Sequence, residues 1–502
     1  MTNLNQALAC VDLGSNSFRL FLARAQESPH GIQIRPKEDF KESVRLAAGL
    51  DDRNILSQVA IDTALKAISR FGERIRGFSP ANVRAVATST LRIAKNSSDV
   101  IAQLQSQLGF NIQVISGYEE ARLVYIGAAH SLPVDGRKRL VIDIGGGSTE
   151  CIIGCDYEPN MMDSVGIGCV STTQDWFKSG RLTNDSFEKC YLFARSRLAS
   201  ASAEYRSEGW QDAFGTSGSA KMLTQICETL FGEAILTPKR LREIQQICVD
   251  AKTMDQIHFD GLRADRRAVL PGGLATMRAV LDEFEVNTMR YATGALRDGV
   301  LYDLVGRQRR DQQGDMREVA VANLATRTRV NTEHANHIER TAIGLLAQLV
   351  DPSSAEYEND SHLLSWAARL HEVGQSIAHD HYHKHSAYIA EHSDLRGFSQ
   401  NEQREIAWLL LGHAGKLGKL AATQTRETLW LLVIALRLSV ILHRRRDGMV
   451  PNVIIKWLKN KIKISIDPTW LVEHPMTDFL LSAELAEWNK AKIFSGFELN
   501  SD

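Results

Sequence analysis

Two short segments carry acidic, glycine and hydroxyl residues at matched positions: Asp12-Leu13-Gly14-Ser15-Asn16-Ser17 and Asp143-Ile144-Gly145-Gly146-Gly147-Ser148-Thr149. A Gly/Ser turn offers backbone N–H groups and hydroxyls to an anion, because glycine lets the chain come close. An aspartate at the head of such a turn can hold a hydrated cation beside that anion. The pair therefore points to phosphate. Hydrolysing a phosphoanhydride also needs a positioned water, a base to take its proton, and positive charge on the phosphoryl oxygens. Glu119 and Glu120 follow Ser116-Gly117 at the expected start of a helix, where the dipole keeps a carboxylate ionised and able to accept a proton. Glu150 stands directly after the second turn, and strand alternation puts it on the same face as Ser148. For the phosphates, the backbone and hydroxyls of Ser15, Asn16, Ser17, Gly145, Gly146, Gly147 and Ser148 are the candidates.

The elements that must hold these residues are legible around them. Ala7 to Val11 and Phe18 to Leu22 bracket the first turn, and Leu140 to Ile142 and Cys151 to Ile153 bracket the second. A Walker loop needs Gly-Lys-Ser/Thr opening a helix, and a Rossmann turn needs Gly-x-Gly-x-x-Gly between strand and helix; both loops here lead into apolar strands instead. Each reads as a hairpin tip. Residues 1–125 alternate strands (83–87, 112–115) with helices such as 61–75, and residues 126–305 repeat the scheme, with strands at 139–144, 149–154, 212–214 and 289–292 and helices over 219–231 and 238–251. The repetition predicts two α/β halves with a cleft between them. Residues 306–447 carry helical period with almost no strand signal, and 448–502 read as a small α+β cap with a hairpin (453–457, 461–466) and a helix near 476–491.

Composition narrows the class. At 502 residues the chain is too long for one core and suggests about three or four domains. A formal net charge of -1 supplies no global field for nucleic acid or an anionic membrane, so any polyanion site must be local. Seven cysteines without Cys-x-x-Cys spacing read as reduced core thiols. The longest apolar stretch, Leu429 to Leu442, contains Arg437 and is too short to span a bilayer. No signal-like segment opens the chain, and a cytoplasmic protein is expected.

Five motifs in order, Asp12-Leu-Gly-Ser-Asn-Ser, Ser116-Gly-Tyr-Glu-Glu-Ala-Arg122, Asp143-Ile-Gly-Gly-Gly-Ser-Thr-Glu150, Gly215-Thr-Ser-Gly218 and Gly294-Ala-Leu-Arg-Asp-Gly299, resemble the exopolyphosphatase/guanosine-pentaphosphate phosphatase family of the actin-like ATPase superfamily. The resemblance spans nearly the whole chain. It implies two ribonuclease-H-like (actin-like) domains, an all-α domain similar to the HD phosphohydrolases, the small cap, and a homodimer. It makes Glu120 the catalytic carboxylate and Glu150 the second, sharing the water or holding Mg²⁺ with Asp143, with Asp12 as the matching carboxylate of the first loop. It makes Arg92 a phosphate contact, and it places Gly215, Ser217 and Gly218 where actin-like relatives approach a nucleotide.

In the helical domain, Trp366-Ala-Ala-Arg-Leu-His371-Glu372-Val-Gly374 resembles the His-Asp metal-phosphohydrolase signature, with His379, His381, His383, His385 and His413 nearby. Glu372 stands where that signature has Asp, one carbon longer, which disturbs a two-metal cluster. The expected use of His383, Lys384, His385, Lys416 and Arg444 is instead to line a route for a long polyanion. These readings favour a Mg²⁺-dependent exopolyphosphatase. The rival is hydrolysis of the γ-phosphate of guanosine pentaphosphate, with a non-hydrolytic, nucleotide-gated interaction protein as a more distant alternative.

Overall fold

The computed structural model of the chain describes residues 7–28, 31–308, 315–420, 426–458 and 461–500. It divides into two compact units, Met1–Gly314 and Asp315–Asp502.

The first unit holds two five-stranded sheets. One comprises β1 (Ala7–Leu13), β2 (Phe18–Ser28), β3 (Gly31–Glu42), β4 (Val83–Ala87) and β5 (Ile112–Val114), in the order β3-β2-β1-β4-β5. The other comprises β6 (Lys138–Ile144), β7 (Thr149–Cys155), β8 (Glu158–Val165), β9 (Asp212–Thr216) and β10 (Arg290–Tyr291), in the order β8-β7-β6-β9-β10. In each, three antiparallel strands are followed by two parallel ones. The two sheets are one topology used twice, as the repeated loop predicts. β3 and β8 were not foreseen, because their alternation is diluted by Lys, Glu, Asp, Asn and Pro.

Helices fill both faces of the first sheet. Gln58–Ile75 buries Ile61, Ala64, Ile68, Phe71 and Ile75, a spacing of three and four that forms one apolar stripe, and it packs with Ser97–Leu108 on one face. The other face, with Leu8, Cys10, Phe21 and Val86, joins Val141, Ile152 and Phe214 of the second sheet in a single core around helices Gly117–Ala129 and Leu296–Gln308. These two helices touch backbone to backbone: a Cβ at Gly127 would lie 1.9 Å from the Ala295 carbonyl oxygen, and one at Gly299 1.8 Å from that of Leu123. Only glycine fits there. The second of these helices continues past residue 305, the boundary expected from the sequence.

The second unit packs helices Met316–Arg327, Thr332–Leu349, Ala355–Leu370, Tyr382–His392, Gln400–Gly412 and Glu427–Leu442. A three-stranded sheet follows, β11 (Val453–Leu458), β12 (Lys461–Ile466) and β13 (Gly496–Asn500), with helix Pro475–Ala491 ahead of the last strand. Helices and sheet share one apolar core, in which Val453, Ile455, Ile462, Ile464 and Trp488 meet Leu431 to Leu436. Arg437, in the most apolar helix, is buried in a two-pronged pair with Glu484. No helix among the described residues is long and apolar enough to cross a membrane. All seven cysteines are free, and all but Cys155 are buried.

Candidate active site

The two Gly/Ser turns meet tip to tip. A Cβ at Gly146 would sit 2.9 Å from Ser15 Cβ, and one at Gly147 2.7 Å from Ser89 Oγ. The bare glycines let the two halves close on each other. Both turns are tied down by their carbonyls: Arg45 and Ala47 N–H donate to Asn16 and Ser15, while Cys169 and Val170 N–H, opening helix Cys169–Trp176, donate to Gly145 and Gly146. In the second turn Gly145 N–H also closes on the Ser148 carbonyl at 2.9 Å.

Around this junction stand Asp12, Glu120, Asp143 and Glu150. Asp143 and Glu150 face each other across β6 and β7. Ser217 Oγ donates to Asp143 Oδ2 at 2.6 Å, and Ser217 holds a left-handed backbone (φ 58°) at the start of helix Ser217–Phe231, strain that this bond helps to sustain. Asp143 Oδ1 is buried with no partner. Ser164 on β8 donates to Glu150 Oε1 at 2.8 Å, with Ser148 as a second donor. A Cβ at Gly117 would lie 2.5 Å from Ser164, so the helix that carries Glu120 starts directly against the residue that holds Glu150.

Glu119 and Glu120 have separate tasks, because a helix turns successive side chains about 100° apart. Glu119 is wholly buried and bidentate with Arg122 (2.7 and 2.8 Å). Arg122 and Arg84 also grip Asp303 on the Leu296–Gln308 helix, which Arg307 pairs at 2.7 Å. Burial pushes the Asp303 carboxyl up, but the three guanidiniums outweigh it and hold it well below the usual range. This network braces the helix. Glu120 points to the cleft, where Arg92 Nη1 donates to it at 3.1 Å and to the Ile115 carbonyl at 2.9 Å. Arg92, which the family resemblance makes a phosphate contact, is thereby held beside the glutamate and orients it.

Burial raises all four cleft carboxyls. Asp143 rises to about 6, although Ser217 opposes the rise. Asp12 also rises to about 6 against the pull of Arg297 and Arg19. Glu120 rises to about 7, with Arg92 opposing and Asp143 and Asp12 adding to the rise. Glu150 is pushed well above the carboxylate range by burial and then by Glu120 and Asp143. Four crowded carboxyls that resist ionising together, one with an orphaned oxygen, form a site whose charge a dication would balance.

Other expected residues fall differently. Gly215 is not a cleft residue: a Cβ there would meet Ala220 Cβ at 2.7 Å and Met289 Sδ at 3.1 Å, in the core of the second half. Gly218 is bare to admit the Arg266 guanidinium, 2.2 Å from where a Cβ would be. In the second unit His383 is buried beside Tyr382 and His413, which removes it from any surface route, whereas Lys384, Lys416 and Arg444 are exposed and His385 is half-buried.

The structure also adds residues that the sequence reading missed. Arg19 faces Asp12 across β1 and β2, in the register position that Glu150 occupies opposite Asp143. Aligning the two loops would have exposed this exchange of a cation for a carboxylate. Arg19 and Arg297 both pair with Asp39 at 3.0 Å, and Lys41 pairs with Asp265 at 2.8 Å. Lys41, Ser43, Arg263, Ala264 and Asp265 line a cavity of about 320 Å³ next to Arg266. Cations from both halves, Arg19 and Lys41 from the first and Arg297 and Arg266 from the second, thus gather near the cleft carboxyls.

Known proteins place the chain in a family. Residues 25–308 match the Ppx/GppA phosphatase family, and residues 316–485 match domain III of the same phosphatases. The chain is 34% identical over 497 residues to a protein of Pseudoalteromonas translucida named guanosine-5'-triphosphate,3'-diphosphate pyrophosphatase, covering 98% of this chain and 97% of that one. A protein of the same name from Vibrio vulnificus is 33% identical over 484 residues, 95% of each chain. Among solved structures, an exopolyphosphatase from Cytophaga hutchinsonii superposes with a TM-score of 0.52 at 23% identity, over 60% of this chain and 98% of that one. That likeness gives the fold, two actin-like domains. With residues 25–308 and 316–485 matched and relatives similar over almost the whole chain, the chain belongs to the Ppx/GppA phosphatase family, whose members hydrolyse phosphoanhydride bonds.

Proposed function

We propose that the protein removes the terminal 5'-phosphate of guanosine 5'-triphosphate 3'-diphosphate, leaving the tetraphosphate and orthophosphate. The observation that carries this reading is the similarity, over almost the whole chain, to proteins named for that substrate. It reverses the order in which the sequence motifs alone ranked polyphosphate and the guanosine nucleotide.

Glu120 is the base. Its carboxyl, at about 7, is matched to taking a proton near neutral pH, and Arg92 fixes its direction. The water oxygen bonds to the γ-phosphorus, the bond from that phosphorus to the β–γ bridging oxygen breaks, and the electron pair stays on the diphosphate product. Ser15, Asn16, Ser17, Gly145, Gly146, Gly147 and Ser148 surround the phosphoryl group with donors. Asp143, with its partnerless buried oxygen, Asp12 and Glu150 would hold Mg²⁺, which when bound supplies positive charge to the phosphoryl oxygens. Arg19, Arg297, Arg266 and Lys41 offer cations to the remaining phosphates, and the cavity beside them has room for part of the nucleoside.

The test is orthophosphate release from guanosine pentaphosphate and from long-chain polyphosphate, side by side with Mg²⁺. A higher kcat/KM on the nucleotide supports the reading. Preference for polyphosphate sinks it.

A further inference from the structure

Among the described residues, one group of three side chains brings its ligand atoms close enough to share a metal ion. His334, His371 and Glu372, all in the second unit, each offer a ligand atom within 4.8 Å of the others. They are 7%, 1% and 7% exposed. His334 lies in the first turn of helix Thr332–Leu349, and His371 and Glu372 directly follow helix Ala355–Leu370.

Three features separate this group from ordinary buried histidines. First, His371 Nδ1 lies 2.7 Å from the Ala368 carbonyl. That contact assigns the ring proton to Nδ1 and leaves the Nε2 lone pair facing Glu372, whose Oε1 is 3.9 Å away. A metal-bound imidazole is held in just this way, by a carbonyl on its other nitrogen. Second, His334 Nδ1 is buried with no hydrogen-bond partner. Leaving a buried polar nitrogen unsatisfied is costly, so such a group calls for a ligand. Third, a cation already occupies part of the site: Arg446 Nη2 contacts Glu372 Oε1. Arg446 reaches in from a turn after helix Glu427–Leu442, has a left-handed backbone (φ 59°), and its side chain is 46% exposed. Half-exposed, the side chain has solvent to swing into.

We infer that His334, His371 and Glu372 form a mononuclear site for a borderline first-row dication such as Zn²⁺, with Arg446 as a displaceable stand-in for the metal charge. Two imidazole nitrogens and one carboxylate suit zinc and leave a fourth position open. The objection that glutamate spoils a two-metal cluster does not apply to one ion. The longer side chain places its carboxylate beside both imidazoles while remaining in reach of Arg446.

The experiment uses the untagged full chain, stripped with a chelator and titrated with Zn²⁺ against a chromophoric competitor, with millimolar Mg²⁺ present to fill the all-oxygen cleft site. One Zn²⁺ per chain is expected. His334→Gln and His371→Gln should each weaken binding by more than the about 10–100-fold that loss of an outer hydrogen-bond partner costs a metal site. Arg446→Gln removes the competitor and should tighten binding about tenfold, the scale of one lost hydrogen bond to a charged group. Because Arg446 is half-exposed, this variant remains informative even if the buried histidine variants fail to fold. Absence of retained zinc in Arg446→Gln, or zinc affinity unchanged in both histidine variants, overturns the inference.

Discussion

Glu120→Gln should abolish most of the activity while making the apo protein more stable, and the two effects have one cause. Burial lifts the Glu120 carboxyl from 4.5 to about 7, so at high pH the fold carries an ionised group that it disfavours. At 1.36 kcal/mol per unit, the shift costs about 3 kcal/mol. The sign follows from linkage: the penalty is absent below the unfolded value of 4.5, grows as pH rises, and is complete above the folded value near 7. Glutamine keeps an acceptor for Arg92, which also retains its bond to the Ile115 carbonyl. The variant should therefore gain about 3 kcal/mol over the parent at pH 8 and almost nothing at pH 4. Phosphate release should fall about 10²–10⁴-fold, the usual contribution of a general base. Calorimetric unfolding in a chelator at both pH values, beside orthophosphate release with Mg²⁺, reads the two quantities together. Turnover within tenfold of the parent would remove Glu120 from the proton transfer. A stability difference that does not change with pH would show that its carboxyl is not penalised by burial.

Other perturbations test the scaffold. Ser164→Ala deletes the 2.8 Å donor that lowers the Glu150 carboxyl, so the acid limb of the kcat profile should move to higher pH; a profile that stays put refutes a role for Glu150 ionisation. Asp303→Asn removes the negative charge that Arg84, Arg122 and Arg307 share, leaving them one amide oxygen, and should cost about 3–5 kcal/mol in denaturant unfolding, as breaking a buried pair does; a change below about 1 kcal/mol would mean that the network does not brace the helix. Gly299→Ala puts a methyl group 1.8 Å from the Leu123 carbonyl oxygen and should force the two central helices apart at a cost of about 1–3 kcal/mol, read from the same unfolding curves; wild-type stability would contradict the close contact.

Much of this protein is legible in one dimension because its signals are local. The hairpin loops at 12–17 and 143–149 show themselves through glycine, serine and the apolar runs beside them, which is why the strand pairs β1–β2 and β6–β7 and the duplication are readable. Helix Gln58–Ile75 is visible through its stripe. The edge strands β3 and β8 are not, since half-exposed edges need little apolar alternation. The packing of Gly215 is hidden for a related reason: Met289, which a Cβ there would meet, lies far along the chain, and only the fold shows that the missing Cβ serves the core.

By itself, then, the sequence determined most of the central elements, the duplicated Gly/Ser turns and the presence of acidic residues beside them, because helical and strand periodicity and turn chemistry act over a few residues. Only the tertiary structure decided what each charge does. It turned Glu119 inward to Arg122 and Asp303 and left Glu120 in the cleft, and it set Arg19 opposite Asp12 where Glu150 stands opposite Asp143. It also buried His334 and His371 around Glu372. The physical reason is that burial and opposing charge, which fix the protonation and direction of a side chain, depend on how the chain folds back: Arg92 reaches Glu120 from 28 positions away and Asp303 reaches Arg122 from 181.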